Sequence, residues 1–162
     1  MRPIFIFDLD DTTVDSTHRQ RLNSDGSIDL GFWRRMNTPA NILRDVELPL
    51  AQSMRDAIAR GLDVVIMTSR VMTHADRVWL NQRGLLAPVI LSRDVNDDRS
   101  TGPYKLAKMA DLAMMRDATL EQLAKRVIMW DDCKNVQLTL KNAGFRVIDP
   151  VKFNQTKAEK IA

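Results

Sequence analysis

A single cysteine, Cys133, stands in a chain of 162 residues, so no internal disulfide can form and a reducing compartment is expected. Long apolar runs are also missing. Residues 64–67, one of the longest, are far too short to cross a bilayer. Met1-Arg2-Pro3 leads straight into a strand-like run with no small-residue cleavage site after it, so no secretory signal and a cytoplasmic location are expected. There is no GxxxxGK[ST] phosphate loop, which argues against a P-loop kinase. No internal repeat or low-complexity tract interrupts the chain.

What is present is ordinary for a soluble globular protein: 44% hydrophobic and 28% charged residues. The length fits one domain over 1–162 with room for a small insertion. Net charge is +3, from 24 Lys/Arg against 21 Asp/Glu. If Asp8, Asp10, Asp131 and Asp132 gather in one site, the rest of the molecule carries about +7. A basic body around an acidic cleft suits an anionic substrate, although a solvated basic surface has the same composition.

Five short apolar runs stand out, at Ile4–Phe7, 64–67, Val89–Leu91, Val127–Trp130 and 145–148. They are continuous rather than alternating, as strands covered on both faces should be. Between most of them lie stretches with helical character. These are 48–60 closed by Gly61, a segment capped by Thr73 and ended by Gly84, and one with Pro103 at its first position running to Met115. Two more follow: 117–124, and 133–142 after Asp132 as the cap, with Gly144 closing it. The pattern predicts an α/β fold, a doubly wound five-stranded parallel sheet with helices on both faces. Residues 13–47 break the alternation and read as a small cap or flap after the first strand, with a hairpin tip at Ser24-Asp25-Gly26. The polar tail from residue 154 is expected to fray.

Ligands of such sheets sit at the carboxyl ends of the strands. Four elements fall there. In "FDLDDT", Asp8 and Asp10 can divide the work of nucleophile and general acid/base, with a divalent cation relieving their repulsion. In "VVIMTSR", Thr68 offers a hydroxyl and Arg70 a forked guanidinium to a phosphoryl group. In "GPYKLAKM", Lys105 can offset carboxylate charge, while Lys108, one turn on, can face solvent. In "VIMWDDCKN", Asp131 and Asp132 are hard-oxygen ligands suited to Mg2+, with one of the two expected on the metal. Each element alone also fits a helix cap, a turn or a surface charge.

The ordered set, DxDxT, strand-Thr, Lys and strand-DD on a five-strand α/β pattern, resembles the haloacid dehalogenase superfamily over nearly the whole chain. The resemblance implies that Asp8 forms an aspartyl-phosphate and that Asp10 acts as general acid/base, with its carbonyl on Mg2+. It further implies that Thr68 binds phosphate, Lys105 stabilises the site, and Asp131 and Asp132 form the metal-binding pair. Asp10 favours a phosphatase over a dehalogenase. Asp11 departs from the glycine many members carry there.

Within the superfamily, "TSR", "YKLAKM" and "MWDDCKNVQLTLKNAGFRVID" are similar to the 3′-phosphatase domain of bacteriophage polynucleotide kinase/phosphatases. That likeness implies removal of 3′-phosphate from polynucleotide ends, with Arg19 (eleven residues after Asp8) and Arg70 as substrate-phosphate ligands. A kinase or ligase would be a natural functional partner. Trp33, beside Phe32 and flanked by Arg34 and Arg35, can stack on a base. The alternatives are a 5′(3′)-deoxyribonucleotidase or other small-metabolite phosphatase, or a non-catalytic nucleic-acid-binding or regulatory module on the same fold. A response-regulator receiver is excluded by motif order, since its acid pair precedes its phosphoacceptor.

Overall fold

A computed structural model describes residues 2–24 and 28–159. The chain opens with β1 (Ile4–Phe7), then β2 (Val14–Asp15), a 3-10 turn at Thr17–Arg19, α1 (Leu30–Met36), α2 (Pro39–Ile42) and β3 (Val46–Glu47). The repeating part follows as α3 (Leu50–Ala59), β4 (Asp63–Met67), α4 (His74–Gln82) and β5 (Val89–Leu91). It continues with α5 (Thr101–Met115), α6 (Leu120–Ala124), β6 (Val127–Trp130), α7 (Lys134–Asn142), β7 (Arg146–Ile148) and α8 (Val151–Glu159). Five strands make one sheet in the order β5-β4-β1-β6-β7, and every pairing is parallel.

Side chains alternate across the sheet. Ile4, Ile6, Val65 and Met67 face a core made with Met109, Leu112, Val136 and Leu140 from α5 and α7. Phe7, Val64 and Ile66 face the opposite core, built with Met54, Ala57, Trp79 and Leu80 from α3 and α4. With both faces covered, the strands are apolar at every position except the first residues of β4 and β7, Asp63 and Arg146, as expected of a doubly wound sheet. β1 is central, so its C-terminal end opens in the middle of the sheet edge. Gly61 and Gly84, just past α3 and α4, take φ of 65° and 66°, where a side chain would be strained.

Three local expectations are revised. α5 begins at Thr101, two residues before Pro103, which sits within the first turn where its missing N–H costs nothing. Asp132 does not cap α7. Cys133 holds the N-cap position, and the Asp132 carboxylate instead accepts the Thr12 hydroxyl at 3.1 Å. The tail does not fray from residue 154. α8 runs to Glu159 because Asn154 is buried, accepting from the Leu50 N–H at 2.9 Å and donating to the Thr12 carbonyl at 3.0 Å.

Residues 13–47 return to their starting point. β2 pairs antiparallel with β3, with Val14 opposite Glu47 and Asp15 opposite Val46, which closes the base of the excursion. Ile42, fully buried, packs into the α3/α4-side core. Between these anchors lie helices rather than a simple hairpin. Asp29 caps α1 by accepting from the Phe32 N–H, and Thr38 caps α2 with Pro39 at its first position. Leu22 and Ile28 form an antiparallel bridge. The expected hairpin tip at Asp25 and Gly26 lies outside the described residues.

Candidate active site

Asp8 and Asp10 follow β1, Thr68, Ser69 and Arg70 follow β4, and Asp131 and Asp132 follow β6, so neighbouring strands deliver all seven to one edge. The turn after β1 is held by its own threonines. The Thr13 hydroxyl donates to the Asp8 carbonyl at 2.8 Å, and Asp11 takes a φ of 57°, a left-handed conformation that glycine or aspartate adopts most easily. That accounts physically for Asp11 where glycine is common in the superfamily.

Lys105 reaches the cluster from the first turns of α5. Its Nζ lies 2.6 Å from Asp131 Oδ2 and 2.9 Å from Asp8 Oδ1. The shorter contact goes to Asp131, and Asp8 Oδ1 is buried with the longer ion pair to the same ammonium. Asp131 is fully committed: its second oxygen accepts the Cys133 N–H at 3.0 Å and its carbonyl accepts from Gln137. Asp132 engages the Thr12 hydroxyl through Oδ1 and lines the cavity.

The charge pattern is lopsided. Burial pushes the Asp8 pKa well up; Lys105 opposes this, and Asp131, Asp132 and Asp10 add to it. Burial, then repulsion from Asp131 and Asp11, pushes Asp132 up to about 6. Burial disfavours the Lys105 cation, but Asp8 and Asp131 outweigh it and hold its pKa above the usual range. Ligand oxygens of Asp8, Asp131 and Asp132 all lie within 4.8 Å of one another. Three buried or half-buried carboxylates that repel one another, with Lys105 as the cation between two of them, are a hard-oxygen donor set that fits a divalent cation.

Asp10 stands in a different environment. The Ser16 hydroxyl donates to its Oδ1 at 2.6 Å, and Arg70 spans both oxygens at 2.5 and 3.2 Å. Burial alone would raise its pKa, but Arg70's charge and hydrogen bonds, aided by Ser16, hold it below the usual carboxylate range. Arg70 also donates to Asp76 at 2.6 Å and Asp45 at 3.2 Å.

Arg19 does not reach the cavity. It is fully buried, with Nε and Nη2 each 2.8 Å from the two oxygens of Asp45, Nη1 on Asn37 at 2.9 Å, and its face 4.4 Å from the Trp33 ring. An arginine paired this way has no donor edge to offer a phosphate, so the structure separates it from the role its spacing suggested. Thr68 is buried behind the cavity, its hydroxyl accepting the Arg70 N–H at 3.1 Å. Ser69 lines the cavity instead, and its buried hydroxyl has no partner among the described residues. Lys108, expected to face solvent, is largely covered and lies 3.3 Å from Asp111.

From Asp8 and Asp10 a cavity of about 580 Å3 extends outward between α1 and the loop 92–100. Trp33 and Arg34 of α1 line one side, Arg93, Val95 and Arg99 the other, with Ile28 also in the wall. Ile28 and Val95 are apolar yet 40% and 71% exposed, so the outer cavity offers uncovered greasy surface next to arginines. Phe32 faces elsewhere, under the Arg21 guanidinium at 4.7 Å. Arg93 fixes the loop by donating to the Ser69 carbonyl at 3.1 Å and stacking over Tyr104 at 4.2 Å.

Sequence reasoning missed Asp45, Asp76, Ser16 and Ser69, and Thr12 stood in the DxDxT motif without a role assigned to it. Asp76 had a signal, since Thr73-x-x-Asp76 is a capping box, but nothing local marks Asp45.

Comparison with known proteins agrees with this geometry. Residues 1–159 match the sequence family described as bacteriophage T5 5′-deoxynucleotidase. No curated protein sequence matches the chain at a significant level. Among solved structures, a chain of the Pnkp1/Rnl/Hen1 RNA repair complex aligns at 19% identity and TM-score 0.57, covering 92% of this chain and 42% of that one. The chain thus spans under half the length of that RNA-repair protein. A haloacid dehalogenase-like hydrolase from Streptococcus pneumoniae aligns at 11% identity and TM-score 0.65, covering 91% and 84%. A haloacid dehalogenase-superfamily hydrolase from Geobacter sulfurreducens aligns at 13% identity and TM-score 0.62, covering 92% and 89%. No helix among the described residues is long and apolar enough to cross a membrane.

Proposed function

The chain belongs to the bacteriophage T5 5′-deoxynucleotidase family, phosphatases of haloacid dehalogenase type, and from that premise we propose that it hydrolyses 5′-deoxynucleoside monophosphates. The observation that carries the reading is the cavity, which joins a carboxylate cluster at one end to Trp33, Ile28 and Val95 at the other. Its volume of about 580 Å3 lies in the range of small-ligand sites. A base against the Trp33 face opposite Arg19 would gain about 1–3 kcal/mol from stacking.

In this reading an Asp8 oxygen attacks phosphorus, forming an aspartyl-phosphate as the P–O bond to the nucleoside breaks. Asp10, held ionised by Arg70, takes the proton of the phosphoryl O–H of the monoanionic substrate and passes it to the departing oxygen. Asp10 then takes a proton from water, whose oxygen attacks phosphorus, releasing inorganic phosphate and the Asp8 carboxylate. Lys105 holds Asp8 and Asp131 in place, and the Ser69 hydroxyl, which lines the cavity with no partner among the described residues, is the donor offered to the phosphoryl group, with Arg70 beside it engaged by Asp10. Asp8, Asp132 and the Asp10 carbonyl would hold Mg2+, with Asp131 supporting through Lys105. Bound there, the ion would neutralise the phosphoryl group and favour ionised Asp8.

A second reading, removal of 3′-phosphate from polynucleotide ends beside a kinase or ligase, is favoured by the fold shared with the RNA-repair chain and by Arg34, Arg93 and Arg99 around the outer cavity. The test is Mg2+-dependent phosphate release from deoxynucleoside 5′-monophosphates, 3′-phosphorylated oligonucleotides and 5′-phosphorylated oligonucleotides in parallel. Preference for the monophosphates, abolished by Asp8→Asn, is expected. Preference for the 3′-phosphorylated oligonucleotide would replace the reading with the second, and equal residual activity in Asp8→Asn would remove covalent catalysis.

A further inference from the structure

Asp45 lies in the turn between α2 and β3, and its carboxylate is fully buried. Arg19 grips both oxygens at 2.8 Å. The Asp45 carbonyl accepts the Trp79 indole N–H at 3.0 Å, which fixes the backbone. A bidentate, charge-balanced pair of this kind would be a complete structural unit. Yet Arg70 adds a third donor, with Nη1 3.2 Å from Asp45 Oδ2 and 2.6 Å from Asp76 Oδ1. Only Nε and Nη2 of Arg70 then remain, and both face Asp10.

A guanidinium is planar and rigid, so fixing one nitrogen fixes the direction of the opposite edge. The Asp45 charge does not require this extra contact, because Arg19 alone already matches it through both oxygens. Its geometric effect is specific. It connects the 13–47 excursion, through Arg19 beneath Trp33, to the carboxyl group that must protonate the leaving oxygen.

We infer that Asp45 is a positioning residue that sets the Arg70 edge against Asp10, and through it the leaving-group end of the reaction. The inference rests on the assignment of Asp10 as general acid. It assigns Arg19 to the support of Asp45 and Trp33.

The experiment compares two phosphate esters with the wild type, Asp45→Asn, and the double variant Arg19→Met/Asp45→Leu. Replacing a buried ion pair by apolar side chains of similar volume is often neutral for stability, so the double variant keeps the test usable where the single one folds poorly. One ester is a deoxynucleoside 5′-monophosphate, whose alkoxide leaving group needs a proton. The other is p-nitrophenyl phosphate, whose leaving group does not.

General-acid assistance is worth about 10²–10⁴-fold, so both variants are expected to lose about 10²-fold on the nucleotide in kcat/KM, which reports the step that breaks the ester bond and not the later hydrolysis common to both esters. Loss on the nitrophenyl ester is expected to stay within about threefold. Equal losses on both esters would overturn the inference, as would recovery of nucleotide turnover together with Tm in the double variant. Wild-type protein inactive on both esters would instead overturn the phosphatase reading, and this inference with it.

Discussion

Asn154, on the last helix, donates to the carbonyl of Thr12, 142 residues earlier, at 3.0 Å. The same side chain accepts from the N–H of Leu50, the first residue of α3, whose cap position is held by Pro49 with no side chain to offer. A helix start leaves N–H groups without intrahelical partners, and here the partner comes from the far end of the chain. The Thr12 hydroxyl in turn meets Asp132. The final helix is thereby coupled to the Asp132 carboxylate.

Asn154→Ala leaves a buried N–H and a buried carbonyl unpaired, at a cost of about 1–3 kcal/mol. In a chain of this size that corresponds to a Tm lowered by roughly 3–10 °C. Weaker Mg2+ dependence of turnover is expected alongside, since Thr12 would be less firmly held. An unchanged Tm in thermal melts would show that α8 is dispensable to the fold.

Lys105 is the cation between Asp8 and Asp131. Lys105→Met removes it and leaves two buried carboxylates facing each other, where loss of one partner of a buried pair typically costs about 3–5 kcal/mol. Both Tm and kcat are expected to fall steeply, and Lys105→Arg is not expected to restore them because its fork has a different reach. Calorimetry on purified variants checks this. A Lys105→Met protein as stable as the wild type would mean that the carboxylates are already neutral.

Gly102 sits in the first turn of α5, three residues before Lys105. A Cβ there would stand 2.4 Å from both Asn135 Oδ1 and Thr139 Oγ1 and 3.1 Å from the Asn135 carbonyl of α7. Its N–H also donates to Asn135 Oδ1 at 2.8 Å. Gly102→Ala must displace the Asn135 and Thr139 side chains, break that bond and press on the Asn135 carbonyl, costing about 1–3 kcal/mol. Because α5 carries Lys105, kcat is expected to drop as well. Gly102→Ala with wild-type Tm and kcat would show that the Asn135 and Thr139 side chains simply swing aside.

The sheet was legible because both of its faces are covered, which makes the strands short, mostly apolar runs broken only by Asp63 and Arg146 at their starts. The carboxylates and Lys105 were legible because strand ends of a doubly wound sheet converge, so that order along the chain translates into proximity. Arg19 shows the limit of such reading. Spacing marked it as an arginine near the site, but its partner is decided by where the 13–47 excursion places Asp45, and no local pattern encodes that. Asn154 was missed for the same reason, as a polar residue in a polar tail whose two bonds are both long-range. α1 and α2 are short and stand on caps and tertiary contacts rather than on a long apolar period, so the excursion read as a flap with a hairpin tip and not as helices.

Burial and the neighbouring Asp131 and Asp11 push Asp132 up to about 6. A carboxyl with a raised folded-state pKa binds its proton more tightly folded than unfolded. Its contribution to stability is therefore favourable at low pH and is lost as pH rises through about 6. Mg2+ requires the ionised form, so proton and cation compete for the same oxygens. The rise in Tm produced by saturating Mg2+ is expected to be large at pH 8 and small at pH 5, with apparent affinity falling by up to ~tenfold per pH unit below the transition. Asp132→Asn should lose most of the Mg2+-induced rise at pH 8 and flatten its pH dependence. A Mg2+ effect on Tm that is the same at pH 5 and pH 8 would mean that the cation is held by groups other than Asp132 and its neighbours.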